Sequence, residues 1–162
     1  MQPPDEPTAP VSCIVNGEAI RTQVPLRRSL VDWLRHDVGL TGSHVGCEHG
    51  VCGACHVRVN GQVVRGCLML AVQADGASVE TIEGARDPLT RALQDAFFRH
   101  AALQCGFCTP GMILQAAELL AENPAPTRAE VREALSGNYC RCTGYHPIVD
   151  AVMAVSATLP AE

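Results

Sequence analysis

Hydrophobic and polar positions alternate along the first half of the chain, which predicts β-strands. Residues 11–24 read as two short strands around Asn16-Gly17, and residues 56–64 read as two more around a second Asn-Gly pair. An Asn-Gly pair between alternating segments is the strongest short-range signal for a β-hairpin. With a further strand predicted within residues 78–84, the first unit is expected to be a small mixed sheet.

A short helix is predicted between the two hairpins. Ser29 is placed to cap it, Asp32 follows three residues later, and Gly39 ends it. Leu30 and Leu34 fall on one face, so the helix is expected to lie across the sheet.

Beyond residue 85 the apolar residues recur at the spacing of helices. Four short helices are predicted, within residues 89–102, 110–123, 127–135 and 146–159. Thr109 is expected to cap the second helix, with Pro110 at its first position, and Pro147 takes the same place in the fourth. Thr127 and Glu130 form a capping-box pattern before the third.

These patterns predict an α+β fold in three parts. Residues 1–10, with four prolines and two acidic residues, are expected to be a disordered lead-in. Residues 11–84 form the sheet-containing domain, and residues 85–162 form an all-α domain of four helices.

Composition narrows the functional classes. The 162 residues are 47% hydrophobic and 18% charged, which is ordinary for a globular chain. A net charge of −5, with only 12 scattered Lys and Arg, argues against nucleic-acid binding. The sequence has no apolar run of about 18 residues, so no membrane span is predicted. The first ten residues lack the features of a signal peptide, and the chain is expected in the cytoplasm.

Nine cysteines are many for a cytoplasmic chain, where metal binding or redox chemistry is more usual than disulfides. Cys13 lies among apolar neighbours and is expected to be a buried core thiol. The other eight form two groups of four: Cys47, Cys52, Cys55 and Cys67, and then Cys105, Cys108, Cys140 and Cys142.

The first group has the C-x4-C-x2-C spacing of plant-type [2Fe-2S] ferredoxins, in "GCEHGVCGAC", with its fourth cysteine twelve residues further on. A cluster held by four thiolates is anionic and needs backbone N–H donors. Gly46, Gly50 and Gly53 would let the loop turn sharply and bring its amides close. A zinc site and a redox pair of Cys52 with Cys55 are the alternatives.

The second group combines C-x2-C with C-x-C, thirty-two residues apart, and a four-cysteine zinc site is also open for it. Both of its pairs precede predicted helices, whose N-terminal partial positive charge favours an anionic cluster. The sequence contains neither G-x-G-x-x-G nor a P-loop, and no paired carboxylates stand out. The chain is therefore expected to conduct electrons rather than to bind a substrate, and no catalytic residue is predicted.

The motifs "GCEHGVCGAC", "QCGFCTPGM" and "NYCRCTGY", in this order, resemble those of the small iron-sulfur subunit of the xanthine oxidase family of molybdenum hydroxylases. That resemblance implies a plant-type ferredoxin (β-grasp) domain followed by a helical [2Fe-2S] domain. It also implies a large molybdopterin-binding subunit and a medium FAD-binding subunit as partners, in a dimer of heterotrimers. Electrons would pass singly from molybdenum through two [2Fe-2S] clusters to the flavin.

Particular residues take roles from this resemblance. It assigns the cluster nearer the flavin to Cys47, Cys52, Cys55 and Cys67, and the cluster nearer molybdenum to Cys105, Cys108, Cys140 and Cys142. Gln104 matches a glutamine that hydrogen-bonds the pterin, and Cys142 matches the ligand whose side approaches the pterin amino group. Where members often have Thr after the third cysteine, this chain has His56, which is expected to begin a strand.

Two other functions are compatible with the same motifs. One is a free-standing soluble ferredoxin-like electron carrier, and the other is a zinc-stabilised interaction module. A subunit should expose apolar residues to its partner, and we expect these in "TPGMIL" or "FFRH", whereas a free carrier should have a polar surface.

Overall fold

The computed structural model describes residues 6–160 and contains a five-stranded mixed sheet. Its strands are β1 (Thr8–Val15), β2 (Glu18–Pro25), β3 (His56–Val59), β4 (Gln62–Arg65) and β5 (Ser78–Glu80). Their order in the sheet is β2-β1-β5-β3-β4. Among these strands, only β1 and β5 pair in parallel. The strand that follows the cysteine loop, β3, lies between β5 and β4 and is therefore an inner strand of the sheet.

Both predicted hairpins are confirmed. Asn16 and Gly17 have φ angles of 52° and 86°, and Asn60 and Gly61 have 51° and 86°. Positive φ at both central residues defines the tight hairpin turn that Asn-Gly favours. The local sequence therefore fixes the register of β1 with β2 and of β3 with β4.

The predicted lead-in is too long at its C-terminal end, because β1 already begins at Thr8. Pro10 pairs with Gln23 of β2, whereas the other edge of β1 pairs with β5 only at Ile14 and Val15. Proline lacks an N–H group, and at this end of β1 the free edge requires none. Residues 1–5 of the predicted lead-in lie outside the described residues.

The helix between the hairpins starts as predicted but changes its pitch. It comprises α1 (Leu30–Asp32) and one π-helical turn over Trp33–Asp37, in which the Val38 N–H donates to the Trp33 carbonyl at 3.0 Å. The Ser29 hydroxyl accepts from the Asp32 N–H at 3.1 Å, which confirms the predicted cap. Leu30 and Trp33 pack on the sheet together with Cys13, which is 5% exposed and thus confirmed as a core thiol.

Four helices follow, as predicted: α2 (Pro88–Arg99), α3 (Thr109–Glu122), α4 (Arg128–Ala134) and α5 (His146–Ser156). Their core is apolar, with Leu93, Phe97, Met112 and Ile148 fully buried. The capping box before α4 is present. None of the helices in residues 6–160 combines the length and the apolar character that crossing a bilayer would require.

The predicted cap of α3 is wrong by one residue. Cys108 occupies the N-cap position, and Thr109 is the first helical residue. The Thr109 hydroxyl is buried without a hydrogen-bond partner among residues 6–160. Pro110 is the second helical residue, where its fixed φ suits the first turn of α3.

A half-buried arginine joins the sheet to the helices. Arg58 of β3 forms ion pairs with Glu80 of β5 at 2.7 Å and with Asp87 at 3.1 Å, and it also reaches Thr90 of α2. Asp87 in turn caps α2 through the Thr90 N–H at 2.8 Å. The connection between the two units is therefore anchored at both of its ends.

Candidate metal centres

Each group of four cysteines comes together in the structure as two pairs of neighbouring sulfurs. In the first group the pairs are Cys47 with Cys52 and Cys55 with Cys67. In the second group they are Cys108 with Cys140 and Cys105 with Cys142. All eight predicted ligands thus lie in the two predicted sets, and Cys13 lies apart in the core of the sheet domain.

Backbone amides surround the sulfur of Cys47. The N–H groups of Val51 and Cys52 donate to it at 3.3 and 3.4 Å. Burial would raise the pKa of Cys47, but hydrogen bonds from the backbone of His49, Cys52 and Val51 outweigh it and lower the pKa to about 6. The loop therefore stabilises a thiolate here, as a metal ligand requires.

Cys55 lies in a different environment from Cys47, although both belong to the first set. Burial, aided by the neighbouring Cys67 thiol, raises the pKa of Cys55 to about 12. A thiolate at this buried position needs a compensating positive charge, which a bound metal would supply.

The glycines of the first loop have the roles expected of them. Gly50 and Gly53 have φ angles of 81° and 69°, which favour glycine strongly. At Gly46 a Cβ atom would lie 3.1 Å from the Cys52 sulfur. Gly50 and Gly53 turn the loop, and Gly46 lets the backbone pass close to the Cys52 sulfur.

The second set has one buried and one exposed pair. Cys105 and Cys142 are both exposed, with their sulfurs 3.6 Å apart. Cys108 and Cys140 are buried, and burial together with the Cys140 thiol raises the pKa of Cys108 to about 12. The set therefore spans from the helical core to the surface.

Residues after the C-x-C pair hold Cys140 in place. The Cys140 N–H donates to the Tyr145 hydroxyl at 2.9 Å, and the Cys140 sulfur lies 3.1 Å from the Thr143 hydroxyl. Burial would raise the pKa of Cys140, but the hydrogen bonds of Thr143 lower it. Sequence reasoning missed this support, although both residues lie in the "CRCTGY" motif.

The paired sulfurs fit a two-iron cluster. Each iron of a [2Fe-2S] cluster takes two protein ligands, so a site needs two adjacent pairs of thiolates. Within residues 6–160, no three His, Cys, Asp or Glu side chains converge as they would on a single metal ion. The donor chemistry and its pairwise arrangement both suit one [2Fe-2S] cluster in each set.

The two sets lie on adjoining loops. The Tyr139 N–H, one residue before Cys140, donates to the carbonyl of Cys52 at 2.9 Å. Beside it, the His44 ring stacks on Phe107 with centroids 4.7 Å apart. The hydrogen bond from Tyr139 to Cys52 thus connects the two loops that carry the cysteine sets.

Gln104 is exposed and directly precedes Cys105, on the side where Cys142 is also exposed. The family resemblance implies that these two residues contact the pterin, and both are accessible to a partner. Of the segments expected to expose apolar residues, "FFRH" exposes Phe98 (79%) while Phe97 is buried. The expected apolar surface is absent from "TPGMIL", because Met112 and its two neighbours are buried in the helical core.

Comparison with known families identifies both domains. Residues 13–84 match the family described as "2Fe-2S iron-sulfur cluster binding domain", and residues 81–153 match that described as "[2Fe-2S] binding domain". The cofactor expected from the cysteine spacing is therefore confirmed for both domains, and zinc is not the metal that either family binds.

Individual proteins match over nearly the whole chain. The small subunit of nicotine 6-hydroxylase from Paenarthrobacter nicotinovorans is 56% identical, over 86% of this chain and 84% of the relative. Subunit gamma of caffeine dehydrogenase from Pseudomonas sp. (strain CBB1) is 49% identical, over 91% of each. The crystal structure of quinoline 2-oxidoreductase from Pseudomonas putida 86 contains a chain with a TM-score of 0.87 and 53% identity, covering 93% of this chain and 94% of that one.

Proposed function

The chain belongs to the two-domain [2Fe-2S] subunits of the xanthine oxidase family of molybdenum hydroxylases, and we propose that it transfers electrons within such a complex, between a molybdenum subunit and a flavin subunit. Relatives named as a hydroxylase small subunit and a dehydrogenase subunit support this role.

One observation carries the proposal: eight of the nine cysteines form two sets on adjoining loops, and the Tyr139 N–H joins these loops at the Cys52 carbonyl. A [2Fe-2S] cluster bound by each set would accept and release one electron at a time. The amides around Cys47 and the hydroxyl of Thr143 would stabilise the thiolate ligands. Burial of Cys55 and Cys108 keeps water away from the inner ligands.

The orientation of the chain in the complex is also proposed. Cys105 and Cys142 form the exposed pair, and we assign their side to the molybdenum subunit, with Gln104 hydrogen-bonding the pterin. The loop that carries Cys47 is assigned to the flavin subunit. The complex is proposed to lie in the cytoplasm, because eight cysteines used as metal ligands suit a reducing compartment. A dimer of heterotrimers is proposed from the family resemblance alone. The domain boundary is proposed at residue 84.

Reconstituted protein should contain about four irons and four acid-labile sulfides per chain, since each set holds one [2Fe-2S] cluster. Iron and sulfide assays after anaerobic reconstitution measure this directly. Zinc at either set, or only half of the expected iron, would contradict the proposal.

Gln104→Ala is expected to weaken association with the molybdenum subunit, or transfer from it, about fivefold, since a neutral hydrogen bond contributes about 1 kcal/mol. Iron content should not change, because Gln104 is not a ligand. Stopped-flow reduction of the complex by its substrate, with titration of the two subunits, measures both quantities. Gln62→Ala, at an exposed glutamine on β4, is the control. Equal behaviour of the two variants would exclude Gln104 from the contact.

A further inference from the structure

A buried polar contact between the two domains lies beside both cysteine sets. His56 directly follows Cys55 and is the first residue of β3, and Asn138 lies two residues before Cys140. His56 and Asn138 are each 2% exposed. The Asn138 side-chain nitrogen is 3.3 Å from Nδ1 of His56. Neither residue is a metal ligand, and the electron-transfer role described above uses neither of them.

The hydrogen bond requires one form of the histidine. An amide nitrogen can only donate, so Nδ1 of His56 accepts and the ring carries its proton on Nε2. The backbone of Gly111 in α3 provides the other hydrogen-bonding partner of the ring.

The backbones around this contact are packed too closely for other side chains. A Cβ atom at Gly53 would lie 2.6 Å from the side chain of Asn138, and one at Gly111 would lie 2.2 Å from the Gly53 carbonyl oxygen. A Cβ at Gly137 would lie 2.5 Å from Arg65. The main chain around Gly53 therefore lies directly against Gly111 of α3 and against the Gly137 to Asn138 segment.

We propose that His56 and Asn138 are positioning residues whose hydrogen bond fixes the loop of the first cysteine set against the loop of the second. The pair lies close in sequence to the hydrogen bond from the Tyr139 N–H to the Cys52 carbonyl. Asn138 directly precedes Tyr139, and His56 follows Cys52 by four residues. Leaving either buried side chain without a hydrogen-bond partner would be unfavourable. The bond therefore keeps the start of β3, which carries His56, against the segment that carries Asn138. Family members often have Thr where this chain has His56, so the resemblance does not imply this contact. The inference rests on the proposed function, in which both sets hold clusters.

The test measures the magnetic interaction between the two reduced clusters, which depends on their separation. Asn138→Ala and His56→Thr should each keep both electron paramagnetic resonance signals but lose the spin–spin splitting of the unsubstituted protein. The substitution His56→Asn should instead keep the splitting, because the asparagine amide oxygen can accept the hydrogen bond in place of Nδ1. Asn123→Ala is the control, at an asparagine that caps the exposed loop after α3.

Hydrogen exchange separates positioning from a general loss of stability. The Tyr139 amide should exchange at least about tenfold faster in Asn138→Ala, while amides of α2 keep their rates. Splitting and Tyr139 exchange that stay as in the unsubstituted protein would overturn the inference. If Asn138→Ala does not fold, His56→Thr decides the question alone. Absence of two cluster signals from the unsubstituted protein would instead count against the proposed function.

Discussion

Cys108→Ser is expected to remove about two of the four irons and one of the two cluster signals from the reconstituted protein. Cys108 forms the buried pair of the second set with Cys140, so its loss leaves one iron with a single thiolate in an apolar site. Serine is a poor replacement, because its hydroxyl is far less acidic than a thiol. Iron analysis and electron paramagnetic resonance of the reduced protein measure the effect.

The chain offers two matched variants for this experiment. Cys55→Ser removes the buried ligand of the other set and should eliminate the other signal, whereas Cys13→Ser should keep four irons and both signals. Like Cys55 and Cys108, Cys13 is buried, but it lies in the core of the sheet domain. If Cys108→Ser erased both signals in protein that still folds, the two sets would not be separate sites.

Much of this architecture could be predicted because its signals are local. Asn16-Gly17 specifies a hairpin turn by backbone conformation alone, and Ser29 caps a helix through an amide three residues away. The spacing of the first cysteine group likewise reflects one loop wrapped around one cluster. Such features need only a few consecutive residues, which the sequence displays directly.

Contacts between distant segments could not be predicted in the same way. His56 and Asn138 are 82 positions apart, and Arg58 meets Asp87 across 29. Neither contact has a periodic or spacing signal, and a single sequence gives no other evidence for it. The predicted cap at Thr109 is wrong by one residue, since Cys108 occupies the N-cap position.

The close approach of the two domains at Gly111 leads to the second large effect. Alanine is usually more favourable than glycine in a helix by up to about 1 kcal/mol. Gly111 lies in the first turn of α3, and its φ angle is not in the region that favours glycine. By local preference alone, Gly111→Ala should therefore be neutral or stabilising.

Gly111→Ala is instead expected to lower the free energy of unfolding by about 1–3 kcal/mol, the usual cost of overpacking a core. The new Cβ would lie 2.2 Å from the Gly53 carbonyl oxygen, which is a main-chain atom of the loop that carries the first cysteine set and cannot rotate away. Urea denaturation followed by circular dichroism gives the change, and Gln115→Ala, one turn later on α3, should stay within about 0.5 kcal/mol. Because the strain falls between the first cysteine loop and the start of α3, which directly follows Cys108, the variant should also alter the splitting between the cluster signals. A Gly111→Ala protein as stable as the original, with the same splitting, would show that this loop and the start of α3 do not press together as described.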